Sequence, residues 1–253
     1  MSIHLYLSPH LDDAALSCAG RMVGQVAAGE RVRVVNVFAG IPDYSRLSAY
    51  AERQHGKWGW PTDPVGSRRA EDERVLRGLG AEVEHWEYTD CIYRQVDGAF
   101  VYTDHDEVFG PVHPAETALI TRLAFRFSQL RQALPDTHFY APLALGGHVD
   151  HRIVRAGAMA IQRLGADVRF YEDFPYATQP DALQAVQTEL RGQWTSEVTP
   201  IDVEAKIRVI AGYASQLLAV FHDPTTMPQV VREYAAALAP DGHGYYERYW
   251  RLE

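Results

Sequence analysis

Lysine is nearly absent from this chain. Of its 24 Lys and Arg residues only Lys57 and Lys206 are lysines, so arginine carries almost all the positive charge. Arginine can grip carboxylates and phosphates with a two-pronged donor set, although compositional bias is the simpler explanation of its abundance. Cysteine is equally scarce, and Cys18 and Cys91 alone make no disulfide framework. No apolar run approaches the roughly 18 residues of a membrane span. The start, Met-Ser-Ile-His, has no basic, apolar leader, so the cytoplasm is the expected location. A net charge of −9 argues against a general binder of nucleic acid or membrane surfaces. No G-x-G-x-x-G follows the first apolar stretch, which sets dinucleotide binding aside. There is no internal repeat, low-complexity segment or linker. With 253 residues, 47% of them hydrophobic, the chain is read as one domain over 1–253 with a sizeable core.

What is present begins at the amino end. Ile3, Leu5 and Leu7 alternate with His4, Tyr6 and Ser8, as in a strand with two distinct faces. Pro9 stops the ladder because it has no N–H to donate. His10, Asp12 and Asp13 follow at once, and Ala14–Ala19 reads as the opening of a helix. A second cluster, Gly146-Gly147-His148-Val149-Asp150-His151, likewise sits between a strand-like stretch (137–141) and a helical pattern. Its glycines allow a tight turn, and one helical turn points His148 and His151 the same way. Histidines and carboxylates are the ligand types of a zinc site. Two strand ends carrying them can converge in one crevice of an α/β sheet.

Strand and helix signals alternate through the first two thirds. Strands are expected at 3–7, 31–38, 83–86, 137–141 and 168–171. Helices are expected at 13–28, from an N-cap at Ser67 to Leu79, at 115–134 and at 150–164. Long connections at 39–66 and 87–114 are rich in aromatic and polar residues. In the last third, 181–190 and 203–220 look helical and 193–199 strand-like, while 245–252 carries no clear signal. The pattern predicts a Rossmann-like three-layer α/β sandwich with a mainly parallel sheet.

SPHLDDAALSCAG and HVDH resemble the two principal motifs of the PIG-L/LmbE-like family of metal-dependent deacetylases, which includes enzymes acting on N-acetylglucosaminyl conjugates. SRRAEDERVLRGLG, with Arg68 and Glu71, and KIRVIAGYASQL are similar to two weaker family segments. The resemblance runs from residue 3 to about 220. Leu11 stands where the family usually has proline, and Ala14 where it commonly has glutamate; the latter change points to a subfamily with its own substrate. The resemblance implies a hydrolase that removes an N-acetyl group from a sugar conjugate, a small-molecule substrate. The implied metal ligands are His10, Asp13 and His151, with Zn²⁺ as the metal and Fe²⁺ or another divalent ion as alternatives, since nitrogen/oxygen sites accept several.

In that frame Asp12, diverging from its neighbour, takes the proton of the attacking water. His148 stabilises the oxyanion or protonates the leaving amine, and Asp150 holds a histidine through its second nitrogen. Arg68 is expected to contact substrate, with an ion pair to Glu71 or Asp72 on its own helix as the alternative. Asp90 binds sugar hydroxyls or caps a turn. Trp58 and Trp60 stack on a sugar, or belong to a core or lid. The remaining histidines lack such context. A metal-dependent amidase or esterase on a non-sugar substrate would use the same site, and a non-catalytic module could share the fold. A signalling receiver domain fails for want of a lysine between Lys57 and Lys206. A homo-oligomer is compatible with the sequence.

Overall fold

The structure, a computed structural model, describes residues 2–59 and 62–252. Trp60, one of the two tryptophans considered for stacking, lies outside the described residues. β1 (Ile3–Ser8), α1 (Asp13–Ala27) and β2 (Arg31–Asn36) come first. α2 (Ala49–Trp58) and α3 (Pro64–Leu79) lead to β3 (Glu82–His85). A small hairpin, β4 (Gln95–Val96) and β5 (Ala99–Phe100), and the short α4 (His105–Val108) occupy the next connection. α5 (Thr117–Ala133), β6 (Thr137–Pro142), α6 (Val149–Arg163) and β7 (Asp167–Tyr171) follow. The last third holds α7 (Ala182–Glu189), β8 (Trp194–Pro200), α8 (Val203–Ala211), α9 (Ala214–Phe221), α10 (Met227–Ala237) and β9 (Tyr246–Leu252).

Seven strands form one sheet in the order β3-β2-β1-β6-β7-β9-β8. The five from β3 to β7 are parallel, and β9 and β8 add antiparallel pairs at one side. The chain builds outward from β1 to β3, then returns to lay β6 against the other side of β1, with Tyr6 beside Tyr140. This reversal parts the loops that leave β1 and β6 and opens a crevice at their carboxyl ends, the usual ligand position in such sheets.

Both faces of the sheet are buried. Leu5, Leu7, Phe139 and Phe170 pack with Leu123 and Phe127 of α5 and Ile153 and Ile161 of α6. Tyr6, Val34, Tyr140 and Tyr171 turn the other way, onto Cys18 and Met22 of α1 and Leu76 of α3. The alternation in β1 therefore sends Leu5 and Leu7 into one interior and Tyr6 into the other, as expected for a parallel sheet between helix layers. Tyrosine can be buried here because its hydroxyls are matched. Tyr6 Oη donates to Gln25 Oε1 (2.8 Å), and Gln25 Nε2 donates to Tyr140 Oη (3.2 Å). Gly157 lets α5 and α6 approach closely, since a Cβ there would lie 2.7 Å from the Phe127 ring.

Two sequence-based boundaries are corrected. α3 starts at Pro64, not after Ser67. The cap is Asp63, whose Oδ1 accepts from Gly66 N (3.0 Å), and proline suits the first turn because its missing N–H is not needed there. The stretch 203–220 is two helices, because the chain breaks at Gly212-Tyr213 so that Tyr213 Oη can donate to the buried Asp72 (2.8 Å). The unassigned 245–252 region supplies β9, and α10 gave no recognised signal.

Lys206 explains how a charged segment joins the sheet. Its ammonium lies 2.7 Å from Glu247 Oε1 of β9 and donates to Ser17 O (2.8 Å), while Glu247 also accepts from the backbone N–H groups of Gly20 and Arg21. Both side chains are buried. Removing one partner leaves an uncompensated buried charge, so Lys206→Met is expected to lower stability by about 3 kcal/mol or more. Urea denaturation measures this, and a change within about 0.5 kcal/mol, as at an ordinary surface position, would contradict it.

Candidate active site

The turn after β1 is locked by its own polar atoms. Ser8 Oγ donates to His10 O (2.7 Å) and accepts from Ala14 N (3.0 Å), and His10 N donates to Asp13 Oδ2 (2.8 Å). Asp12 occupies the N-cap position of α1 but makes no capping hydrogen bond, which leaves its carboxylate free for the crevice. After β6 the chain turns through Gly146 and Gly147, both with φ near +80°, a conformation that glycine adopts without strain. His148 then caps α6, its Nδ1 accepting from Asp150 N (3.2 Å). In the neutral ring the proton therefore sits on Nε2.

The two loops meet. One nitrogen or oxygen from each of His10, Asp13 and His151 lies within 4.8 Å of the others, a spacing that suits a shared cation. Asp13 Oδ2 is 3.0 Å from His10 Nδ1 and 3.2 Å from His151 Nε2. The far nitrogens are held as well: His10 Nε2 lies 3.0 Å from Asp150 Oδ2, and His151 Nδ1 lies 2.6 Å from Asp173 Oδ1. Carboxylates in these positions orient an imidazole and make its free nitrogen more basic. His148 stands edge-on to His10, 4.8 Å between ring centres, and 5.1 Å from His151.

Two other combinations, His10 with His148 and Asp150, and Asp90 with Cys91 and Asp150, share these residues. The Arg94 guanidinium, 2.6 Å from Asp150, already supplies positive charge beside the last of them.

Arg68 reaches the site from α3. Its Nη2 donates weakly to Asp12 Oδ1 (3.4 Å), and its guanidinium lies 4.5 Å from the centre of the Trp58 ring. It does not pair along its own helix. Glu71 is taken by Ser215, and Asp72 by Asn36, His85 and Tyr213. Among the described residues, Arg68 Nε is buried without a hydrogen-bond partner. Asp90 has a capping role, Oδ1 accepting from Ile92 N (3.1 Å), and its Oδ2 also lies 3.6 Å from His10 Nε2. Leu11 and Ala14, where the family usually carries proline and glutamate, are both buried in apolar clusters.

Two residues were missed from the sequence. Asp173, just beyond β7, accepts from Leu145 N (2.9 Å) as well as facing His151. Its position after a strand beside β6 was the available signal. Arg94 lies in the long 87–114 connection and nothing local marks it.

Burial and neighbouring charge shape the titration of the site. Burial pushes Asp12 up to about 6 against the pull of Arg68. Burial also works against the charge on Asp13, but His151 and His10 hold it well below the usual range. Burial and the two neighbouring imidazoles push His148 down, so it is neutral at physiological pH. Burial would lower His151 too, but Asp13 and Asp173 override it and raise it to about 9.

The fold is that of known hydrolytic deacetylases. Residues 5–162 match the family of GlcNAc-PI de-N-acetylases, PIG-L, and the chain belongs to it. It is 29% identical to the 2'-N-acetylparomamine deacetylase of Niallia circulans over 233 residues, 86% of this chain and 82% of that protein. It is 32% identical to the protein of the same name from Streptomyces fradiae over 221 residues, 84% and 72% of the two chains. The zinc-inhibited form of teicoplanin deacetylase Orf2 superposes with a TM-score of 0.86 at 28% identity, over 98% of this chain and 97% of that one. The protein is an enzyme, an N-deacetylase that hydrolyses an N-acyl bond.

In protein stripped of metal, the His151 ring is expected to titrate near 9, by histidine NMR. Its folded pKa exceeds the ordinary 6.5, so the stability it contributes is complete below 6.5 and is lost as pH rises through about 9. Asp173→Asn should shift the titration downward. A ring titrating near 6.5 in both proteins would contradict the assignment.

Proposed function

We propose that the enzyme removes the acetyl group from an N-acetylated amino sugar within a larger conjugate, at a divalent cation held by His10, Asp13 and His151. The observation that carries the metal assignment is the paired support of the two imidazoles, with Asp150 and Asp173 each holding the nitrogen turned away from Asp13. Two nitrogens and one carboxylate oxygen suit zinc with an open position, and suit Fe²⁺ as well. The sugar-conjugate substrate is supported by the relatives, named as deacetylases of 2'-N-acetylparomamine and of teicoplanin.

A cation bound there supplies a polarised acyl carbonyl and a more acidic water. The remaining steps fall to the chain. Asp12 is ionised above about 6 and accepts the proton of the attacking water. Arg68 keeps that carboxylate turned inward. The neutral His148 presents its Nε2–H to the developing oxyanion, and the proton taken up by Asp12 passes to the departing amine. Asp90, at the lip of the cluster, is the candidate for a sugar hydroxyl. The carbonyl–nitrogen bond breaks, a water-derived hydroxyl joins the acyl carbon, and acetate and a free amine leave.

Asp13→Ala and His151→Ala are each expected to lose most bound metal, read by elemental analysis; full occupancy in both would overturn the ligand set. Asp12→Asn should keep metal while acetate release falls by roughly two orders of magnitude or more. Near-normal turnover in that variant would exclude Asp12 as the base.

The pH profile gives an independent check. Activity should rise with pH through an acid limb at or below about 6, because a cation beside Asp12 can only lower its pKa. An acid limb well above 6 would point to another base. One similar structure is a zinc-inhibited form, so zinc content and activity should be measured on the same samples.

A further inference from the structure

The long 87–114 connection carries one side chain that the mechanism above does not use. The Arg94 side chain is only 11% exposed, with its guanidinium between two carboxylates: Nη2 lies 2.6 Å from Asp150 Oδ1, and Nε lies 3.0 Å from Glu116 Oε2. Nη1 donates to Thr89 O (3.1 Å), and the aromatic faces of Phe38 and Tyr102 flank the group at 5.0 and 5.6 Å. The two ion pairs are close, but their angles fall outside hydrogen-bond geometry. What Arg94 gives Asp150 is therefore chiefly charge. Asp150, wholly buried, uses its other oxygen for His10 Nε2 (3.0 Å) and for Cys91 N (3.0 Å).

We propose that Arg94 is a positioning residue for the metal ligand His10, acting through Asp150, and that Glu116 keeps Arg94 in place. Glu116, Arg94, Asp150 and His10 form a line of alternating charge-bearing groups drawn from four separate segments. A buried carboxylate without a counter-charge is costly to keep. With Arg94 on one oxygen, the Asp150 carboxylate stays aimed at His10 with the other, and the ring presents Nδ1 toward Asp13. Among the described residues, the polar contacts of Arg94 go to Asp150, Glu116 and Thr89 and not to His10, Asp12 or Asp13, so its influence on them is indirect. The 87–114 connection is then part of the metal site's support.

This inference rests on the reading of His10 as a ligand, and the test separates the two. The dissociation constant for Zn²⁺ is measured by dye competition on metal-stripped full-length protein, alongside thermal stability. Arg94→Met should weaken Zn²⁺ binding by about tenfold, the lower end of what loss of a ligand's hydrogen-bonded partner does. Arg94→Lys should keep most of the affinity, since charge is what acts. Arg94→Met combined with Asp150→Asn should bind no more weakly than Asp150→Asn alone, because both act on one chain of contacts.

Wild-type affinity in Arg94→Met with a lowered melting temperature would reduce Arg94 to a staple for the 87–114 loop and overturn the proposal. Where Arg94→Met does not fold, Glu116→Gln should show the same loss of affinity in smaller measure, and unchanged affinity there would likewise overturn it. His10→Ala is the control: if it retains Zn²⁺, the ligand assignment itself fails, and if only the Arg94 and Glu116 variants retain it, this inference fails alone.

Discussion

Five aspartates, at positions 12, 13, 90, 150 and 173, are packed into one crevice with little water to solvate them. Carboxylates crowded this way repel each other and lose hydration, and they remain charged only if cations or donors are built around them. The rest of the structure supplies these. Imidazoles stand between Asp13 and the two outer acids, Arg68 faces Asp12, Arg94 faces Asp150, and the backbone N–H groups of Leu145, Cys91 and Ile92 each hold an aspartate oxygen. A divalent cation completes this set in the proposed function, where it draws the two histidines and Asp13 to a common point.

That constraint explains the uneven architecture. The sheet brings β1, β6 and β7 side by side and so delivers their terminal acids and histidines to one edge. Arg68 and Arg94 cannot come from those strands. They arrive from α3 and from the 87–114 connection, which contribute Val65, Ile92 and Tyr102 to a small separate core shared with Leu11 and Tyr50. The long connections are thus packed substructures that carry counter-charge into the site. Away from the crevice the same logic recurs, for instance where Lys206 meets Glu247.

Much of the fold was legible because parallel strands and their crossover helices leave strong periodic signals. The clusters at 10–13 and 148–151 could be found because each is contiguous in sequence and follows a strand. Boundaries set by a single cap or break were harder. Asp63 outcompetes Ser67 because proline at 64 fits the first turn, and Tyr213 interrupts a helical run to reach a partner 141 residues away in sequence. β9 was unreadable because its charged residues join a sheet only when matched from elsewhere.

The sequence by itself determined the strand-to-loop placement of His10, Asp12, Asp13, His148, Asp150 and His151, since backbone turns, proline and glycine act locally. It also determined the α/β class, since side-chain periodicity reports which faces must be buried. Only the tertiary structure decided which carboxylate serves which histidine. Asp150 serves His10, not its own neighbour His151, while His151 goes to Asp173. Tertiary structure also set Arg68 against Asp12 and Arg94 against Asp150. These pairings depend on where strands adjacent in space come to an end and on which charges must be neutralised once water is excluded. Neither quantity is a property of any local stretch of chain.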